Sequence, residues 1–583
     1  MRDVARTHRV REASLTPRFR SGQARLAPLV LAVAAVCSLA AQSERFTVVE
    51  ASIAGMQQAM ADGRVTSREL VQQSLTRIAF YEDRLNAIIT VNRRALEEAD
   101  ARDRERAAGR IRGPLHGVPI AVKDNIHTTD MRTTGGALAF ASLVPPYDAT
   151  VTTRLREAGA IIIAKTQMTE LANWVTVGMP TNYNSLTGYG FNPYDPRRDP
   201  RPATGDGRPV LATGGSSSGV GTAVSFWAAS VGTETSGSIL NPSNQNMLAG
   251  IKPTVGRVSR HGIIPITADQ DTAGPMARSV ADAAVLLGVI ESTTRDPNDM
   301  ATGRCMPPPG GDYTQYLDRG ALKGARIGVP RAFFYRAVTA PGSPMMRGGI
   351  NADQAAVMDE AIAVLRREGA TIVDPADIPS VLDADASRNV LLWPVCAGVE
   401  YARGRDAECS VTYKYGMKRD FNAWLASLGA AAPVKTLTDL RAWNRDHQSA
   451  GTLKYGQQNL DVSDETDLQR DRGRYEADRR KDLLLNGERG LDAALTGHNV
   501  DALLFPAGNG ALIAARPGYP TVIVPFGMIP NSPTPALPTG FTANQAPFGV
   551  SFSGTACSEP RLIALAYAFE QATRRRVPPP LFP

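Results

Sequence analysis

Apolar residues fall at helical spacing over 67–80, which predicts a helix capped by Thr66 or Ser67. Residues 95–110 are rich in Ala, Glu and Arg and read as a helix with a solvated face. The period changes at Gly113. Residues 118–123 form a short β-type run, and 160–164 form another, preceded by a helix over 150–158. This alternation predicts an α/β fold, a parallel or mixed sheet covered by helices. Residues 205–290 are dense in Gly, Ser and Thr and carry two loop-like clusters. A second strand–helix stretch opens at 324–330, and its amphipathic helix runs over 353–368. Residues 410–490 are polar and helical, and the pattern assigns their two charge runs to exposed helix surface. Buried strands return at 501–506 and 520–525. No internal repeat of roughly 20–50 residues and no long low-complexity linker interrupts the chain, so one large domain is expected.

The chain has 583 residues, 43% hydrophobic and 21% charged, which excludes wholesale disorder. Its net charge of +7 is unevenly placed: residues 1–40 hold seven arginines against Asp3 and Glu12. The rest of the chain is nearly neutral, poor grounds for a nucleic-acid surface. The Arg-rich start runs into an apolar stretch over 26–40 that ends Ser38-Leu39-Ala40. That is the pattern of a signal peptide over 1–40 with a mature start near Ala41, and so of a periplasmic or secreted protein. No later segment has the ~18 uninterrupted apolar residues of a membrane span, so no stable membrane insertion of the mature protein is expected.

Cys305, Cys396, Cys409 and Cys557 remain after the leader, with no CxxC pair among them. They are too sparse for a disulfide framework or a zinc knuckle. Free buried thiols are the expectation, with a single Cys396–Cys409 bridge as the alternative. The histidines His8, His116, His127, His261, His447 and His498 include no i, i+4 pair and no HExxH, so no metal is expected. The acidic run 461–467 lacks the central glycine of a calcium loop and reads as solvated surface. No GxxxxGK[ST] is present, which removes P-loop nucleotide hydrolysis. No cofactor is expected.

Nucleophilic catalysis is better supported. No GxSxG elbow lies beside a histidine, but a lysine kept neutral by burial can replace one as base. Lys123 ends an apolar run, where a cation is costly. Thr213-Gly-Gly-Ser-Ser-Ser-Gly-Val-Gly221 and Gly232-Thr-Glu-Thr-Ser-Gly-Ser-Ile239 are loops whose glycines permit unusual backbone angles. Successive N–H groups in the second loop are a candidate nest for an oxyanion.

These segments together resemble the amidase signature family of Ser-cisSer-Lys amide hydrolases. The resemblance also rests on Gly113-Pro-Leu-His-Gly-Val-Pro-Ile-Ala-Val-Lys-Asp-Asn125, Ala164-Lys-Thr-Gln-Met-Thr-Glu170, Gly250-Ile-Lys-Pro-Thr-Val-Gly256 and Gln270-Asp-Thr-Ala-Gly-Pro-Met-Ala-Arg278. It is strong over 110–290 and continues more weakly from about 48 to 575. Gly-Thr-Glu-Thr, with Lys454-Tyr-Gly-Gln457 later, is most similar to the peptide amidase branch. The resemblance implies a mixed, mostly parallel sheet within an amidase domain over 41–583, and an enzyme that hydrolyses linear amides through an acyl-enzyme. It implies Ser238 as nucleophile, Ser216 as a bridging serine behind a cis peptide bond, and Lys123 as base. The N–H groups of Thr235, Ser236, Gly237 and Ser238 would form the oxyanion hole. Two departures stand out: Ser236 occupies a position often held by glycine, and the Ser216–Ser238 spacing is short around 226–230.

The expected partner is a small amide: a peptide C-terminal amide, an aryl amide or an acyl amide. Two other readings are the glutaminase component of a tRNA-dependent amidotransferase and a non-catalytic binding module. Specificity is expected from insertions over 300–480 and loops near 525–552. Trp174 and Trp393 are read as core residues rather than pocket walls. Asp124, next to the proposed base, is expected to point away from it, since its charge would hold the amine protonated.

Overall fold

In the computed structural model, residues 46–291 and 294–583 are described, and the proposed leader lies outside them. Residues 46–583 fall in one compact unit. Its centre is an 11-stranded sheet. In chain order its strands are β1 (Ile88–Val91), β2 (Pro119–Lys123), β3 (Ile161–Thr166), β4 (Ala229–Glu234), β5 (Ala249–Lys252) and β6 (Thr272–Ala277). They continue with β7 (Arg326–Gly328), β8 (Thr371–Val373), β9 (Ala502–Pro506), β10 (Thr521–Ile529) and β11 (Ala546–Ser553). The spatial order is β1-β3-β2-β4-β6-β5-β10-β11-β9-β7-β8.

The sheet is mixed, as expected. Parallel pairing occupies two blocks, β3-β2-β4 and β9-β7-β8. Between the blocks the pairings are antiparallel. Every residue of β2, β3 and β4 is buried, the mark of central strands covered on both faces. That explains why β2 reads as an unbroken apolar run ending in lysine.

Helices pack on both faces. Ser67–Leu85 starts with a capping box between Thr66 and Glu69, and buries Leu70, Val71 and Ile78. Val280–Ile290 is capped by Ser279, and Ala352–Arg367 by Asn351. The pairings that follow residues 226–228 carry no register shift. Phe226 and Trp227 are buried, the Trp227 indole donates to Thr222 Oγ1 at 2.8 Å, and β4 pairs with β2 and β6.

Two expectations, on the acidic run and on the cysteines, are corrected. Within the polar stretch, helix Thr412–Ser427 buries Tyr413, Tyr415, Met417, Phe421, Trp424 and Leu425. Its polar residues are paired inside, which a charge count does not reveal. Within the acidic run, Asp464 is buried and takes Lys418 at 3.3 Å and the Arg441 guanidinium. The cysteines form two bridges, Cys396–Cys409 and Cys305–Cys557, rather than free thiols. The second closes 252 residues, a separation that spacing alone cannot read. Closing such loops restricts the unfolded chain by about 3 and 5 kcal/mol on the chain-entropy account. Trp174 and Trp393 are core residues, with indole N–H groups on Ser463 and Asp482. No helix of the described residues is long and apolar enough to cross a membrane.

Candidate active site

Because β3, β2 and β4 are parallel, their carboxyl ends share one edge of the sheet. Thr166, Lys123 and Glu234 are the last residues of those strands. Open α/β sheets build their sites outside such carboxyl ends.

Lys123 is fully buried. Its Nζ donates to the Thr233 carbonyl at 3.0 Å. An ammonium has three donors, and burying it with so few acceptors is costly. Burial accordingly lowers Lys123 from its ordinary value to about 8, opposed by the charges of Glu234 and Asp271. Relative to an exposed lysine, that disfavours the ammonium by about 3 kcal/mol. Asp124 does point elsewhere. Its Oδ2 accepts from the Thr134 N–H at 2.9 Å, and its Oδ1 lies 3.3 Å from Lys165 Nζ.

Ser216 sits in a loop tied to the end of β3. It bridges Met168, the Thr169 N–H donates to Gly215 O at 3.3 Å, and the Ser217 N–H donates to Gln167 O at 2.9 Å. Ser216 Oγ donates to Ser218 Oγ at 2.8 Å, and Ser218 Oγ is 2.6 Å from Thr166 Oγ1. Thr166 is the β-ladder partner of Lys123, so Ser218 and Thr166 link the serine loop to the lysine strand. The expected cis bond is not found. Among the described residues, cis bonds occur at Asp374–Pro375 and Thr534–Pro535, so the bond before Ser216 is trans. Trans is favoured by about 3 kcal/mol where proline does not follow. In this arrangement the Ser216 hydroxyl is directed to Ser218 and not to Lys123.

Ser238 follows a tight turn and is half-buried. A Cβ built on Gly215 would lie 2.7 Å from Ser238 Oγ, so only glycine lets the serine loop approach this hydroxyl. Gly237 has φ +91°, and a Cβ there would also meet Asn241 Nδ2 at 2.6 Å. Among the described residues, no acceptor engages the N–H groups of Thr235, Ser236, Gly237 or Ser238. The flanks of this run are pinned. Glu234 Oε2 accepts from the N–H groups of Ile239 and Leu240 at 2.8 and 3.0 Å. Thr235 Oγ1 donates to Asp271, whose other oxygen accepts from the Ile266 and Thr267 N–H groups. Burial raises the Asp271 carboxyl to about 7.

The sequence points to Lys123, Ser216 and Ser238, with Ser217 and Ser218 as structural support, but not to Thr166, Glu234, Gln270, Asp271 and Tyr413 as their frame. Gln270 and Asp271 lie inside a segment that carries the family resemblance, so a role for them was within reach. Tyr413 lies in the polar stretch over 410–490 and gave no such signal. Among the described residues, no group of His, Cys, Asp and Glu is arranged to hold a metal.

The match to known proteins runs through nearly all of the described chain. The amidase family model matches residues 69–563. A probable amidase of Arabidopsis thaliana is 32% identical over 565 residues, 94% of this chain and 96% of that protein. The native peptide amidase of Stenotrophomonas maltophilia superposes with a TM-score of 0.74 at 36% identity, covering 91% of this chain and 98% of that one. A glutamyl-tRNA(Gln) amidotransferase component of Synechococcus sp. (strain WH7803) is 31% identical, over 89% of this chain and 97% of the relative. The chain belongs to the amidase family, with the amidase signature fold, and is an amidase, a hydrolase of carbon–nitrogen bonds.

Proposed function

We propose that this protein is an exported serine amidohydrolase that cleaves a small linear amide, in first place a peptide C-terminal amide, through an acyl-enzyme on Ser238. The single observation that carries the proposal is the half-buried Ser238 hydroxyl at the end of a run of N–H groups that, among the described residues, meet no acceptor. Ser238 Oγ attacks the amide carbonyl, forming the C–O bond of a tetrahedral intermediate. Its oxyanion is held by N–H groups of the 235–238 turn. The Ser238 proton passes through Ser216 toward neutral Lys123, and Ser216 returns a proton to the departing amine. The relay requires the Ser216 hydroxyl to leave Ser218 and turn toward the reacting centre. Water then enters and hydrolyses the acyl-enzyme.

Similarity to the peptide amidase of Stenotrophomonas maltophilia supports the substrate class. Export is supported by the leader pattern and by two cystines, which persist in oxidising compartments. Similarity to the Synechococcus amidotransferase component keeps a glutamine amide as the second reading.

One assay separates them: ammonia release from peptide amides, aryl amides, simple acyl amides and free glutamine, with wild type and Ser238→Ala. Peptide amides are expected to turn over fastest, and only with wild type. Preferred release from glutamine would overturn the first reading in favour of the second. Expressed whole in a Gram-negative host, the chain is expected in the periplasm with its N-terminus near Ala41, read by intact-mass measurement. Cytoplasmic protein retaining residues 1–40 would refute export.

A further inference from the structure

Thr235 is held at two points by consecutive residues of another loop. Its hydroxyl is held by Asp271, and its carbonyl accepts from Gln270 Nε2 at 3.2 Å. The same Gln270 nitrogen donates to the Tyr413 hydroxyl at 3.0 Å, and that hydroxyl faces Thr235 O at 3.5 Å. Gln270 is fully buried and Tyr413 is buried. Gln270 Oε1 has no partner among the described residues. Turning the amide over would set that oxygen against the Thr235 carbonyl and lose both donations, so the orientation is determined. Trp174 stacks edge-on against Tyr413 at 4.8 Å between ring centres. Helix Thr412–Ser427 packs tightly on the Gln270 loop: a Cβ on Gly416 would lie 2.2 Å from Thr267 Oγ1.

In a trans peptide unit the C=O and the following N–H point in opposite directions. A Thr235 carbonyl fixed toward Gln270 and Tyr413 therefore turns the Ser236 N–H the other way. Were the 235–236 unit to flip, a carbonyl oxygen would replace that N–H and repel a developing oxyanion. The sequence makes a flip a real hazard. Ser236 and Gly237 are small, and among the described residues no acceptor holds the adjacent N–H groups.

We infer that Gln270 and Tyr413 are positioning residues that lock the 235–236 peptide with its N–H available to the transition state. This rests on the proposal that the 235–238 turn is the oxyanion hole. Neither residue touches the reacting atoms, so the effect falls on the charged intermediate and not on ground-state binding.

Gln270→Met keeps the length of the side chain and removes the donor, and Tyr413→Phe removes only a hydroxyl. For each, kcat and KM are measured on a peptide amide. Inhibition constants are measured for a peptide aldehyde, which forms a tetrahedral adduct, and for the product peptide acid. Gln270→Met is expected to lower kcat about 100-fold, the cost of one oxyanion donor, with KM and product inhibition within about threefold. Aldehyde inhibition is expected to weaken in parallel with kcat. Tyr413→Phe is expected to follow the same pattern at about tenfold, and it decides the matter if Gln270→Met does not fold. A kcat within about threefold of wild type overturns the inference, as does equal weakening of aldehyde and product acid. Mapping the aldehyde adduct keeps the two levels apart. An adduct away from Ser238 sinks the nucleophile reading itself, whereas an adduct on Ser238 that both variants leave equally tight sinks only the lock.

Discussion

Ser238→Ala is expected to abolish amide turnover while leaving the fold intact. Loss of a serine nucleophile from a group that acts as a unit costs about 10,000-fold or more in kcat. The fold should not register the change. Ser238 Oγ makes no hydrogen bond among the described residues and is half-buried, so stability is expected to hold within about 0.5 kcal/mol. The turn itself is held by Glu234 on the N–H groups of Ile239 and Leu240, and those bonds do not involve the hydroxyl. Comparing kcat and urea midpoints for wild type and Ser238→Ala checks both parts. A variant retaining a tenth of wild-type kcat would place the nucleophile elsewhere.

The second large effect concerns Lys123. Its active form is the neutral amine, and burial brings it to about 8. Below that pH the ammonium prevails and cannot accept a proton. Activity is therefore expected to fall about tenfold per pH unit on the acid side and to level off above the limb. Burial likewise raises the nearby Asp271 carboxyl, which accepts from the Thr235 hydroxyl. The charges of Glu234 and Asp271 favour the ammonium, and the value of about 8 already contains that opposition to burial. Lys123→Ala is expected to lose about 100- to 10,000-fold in kcat and the limb with it. Lys123→Arg does not restore activity, because guanidinium keeps its proton throughout. Histidine variants should leave the limb in place. His116 and His127 are both buried, and burial lowers both; His127 is brought down to about 3, with its Nε2 accepting from the Trp424 indole at 2.8 Å. A limb that disappears with a histidine variant and survives Lys123→Ala would contradict the lysine base.

What the sequence made legible follows from how local each signal is. β2 is readable because a strand buried on both faces must be apolar along its length, and Lys123 at its end then stands out. The two glycine- and serine-rich loops are readable because close approach and positive φ demand small residues, as at Gly215 and Gly237. Features made by distant segments are not. The Cys305–Cys557 bridge spans 252 residues, and its partners carry no local mark. Tyr413 belongs to a helix whose polar residues find partners inside the protein. Lys414, for one, reaches Asp406 at 2.5 Å, so polarity there does not signify exposure. The anchoring of the Ser216 loop on Met168 and Thr169 is likewise made by a distant segment, and no residue in the serine loop announces it.

A covalent acyl-enzyme on Ser238 can be caught by rapid acid quench followed by mass mapping. Wild type is mixed with a slowly hydrolysed aryl amide, quenched during the first turnovers and digested. The account predicts an acyl mass on the peptide containing Ser238, absent from Ser238→Ala and accumulating in Lys123→Ala only far more slowly. An acyl mass on any other residue, or continued turnover by Ser238→Ala, would contradict it.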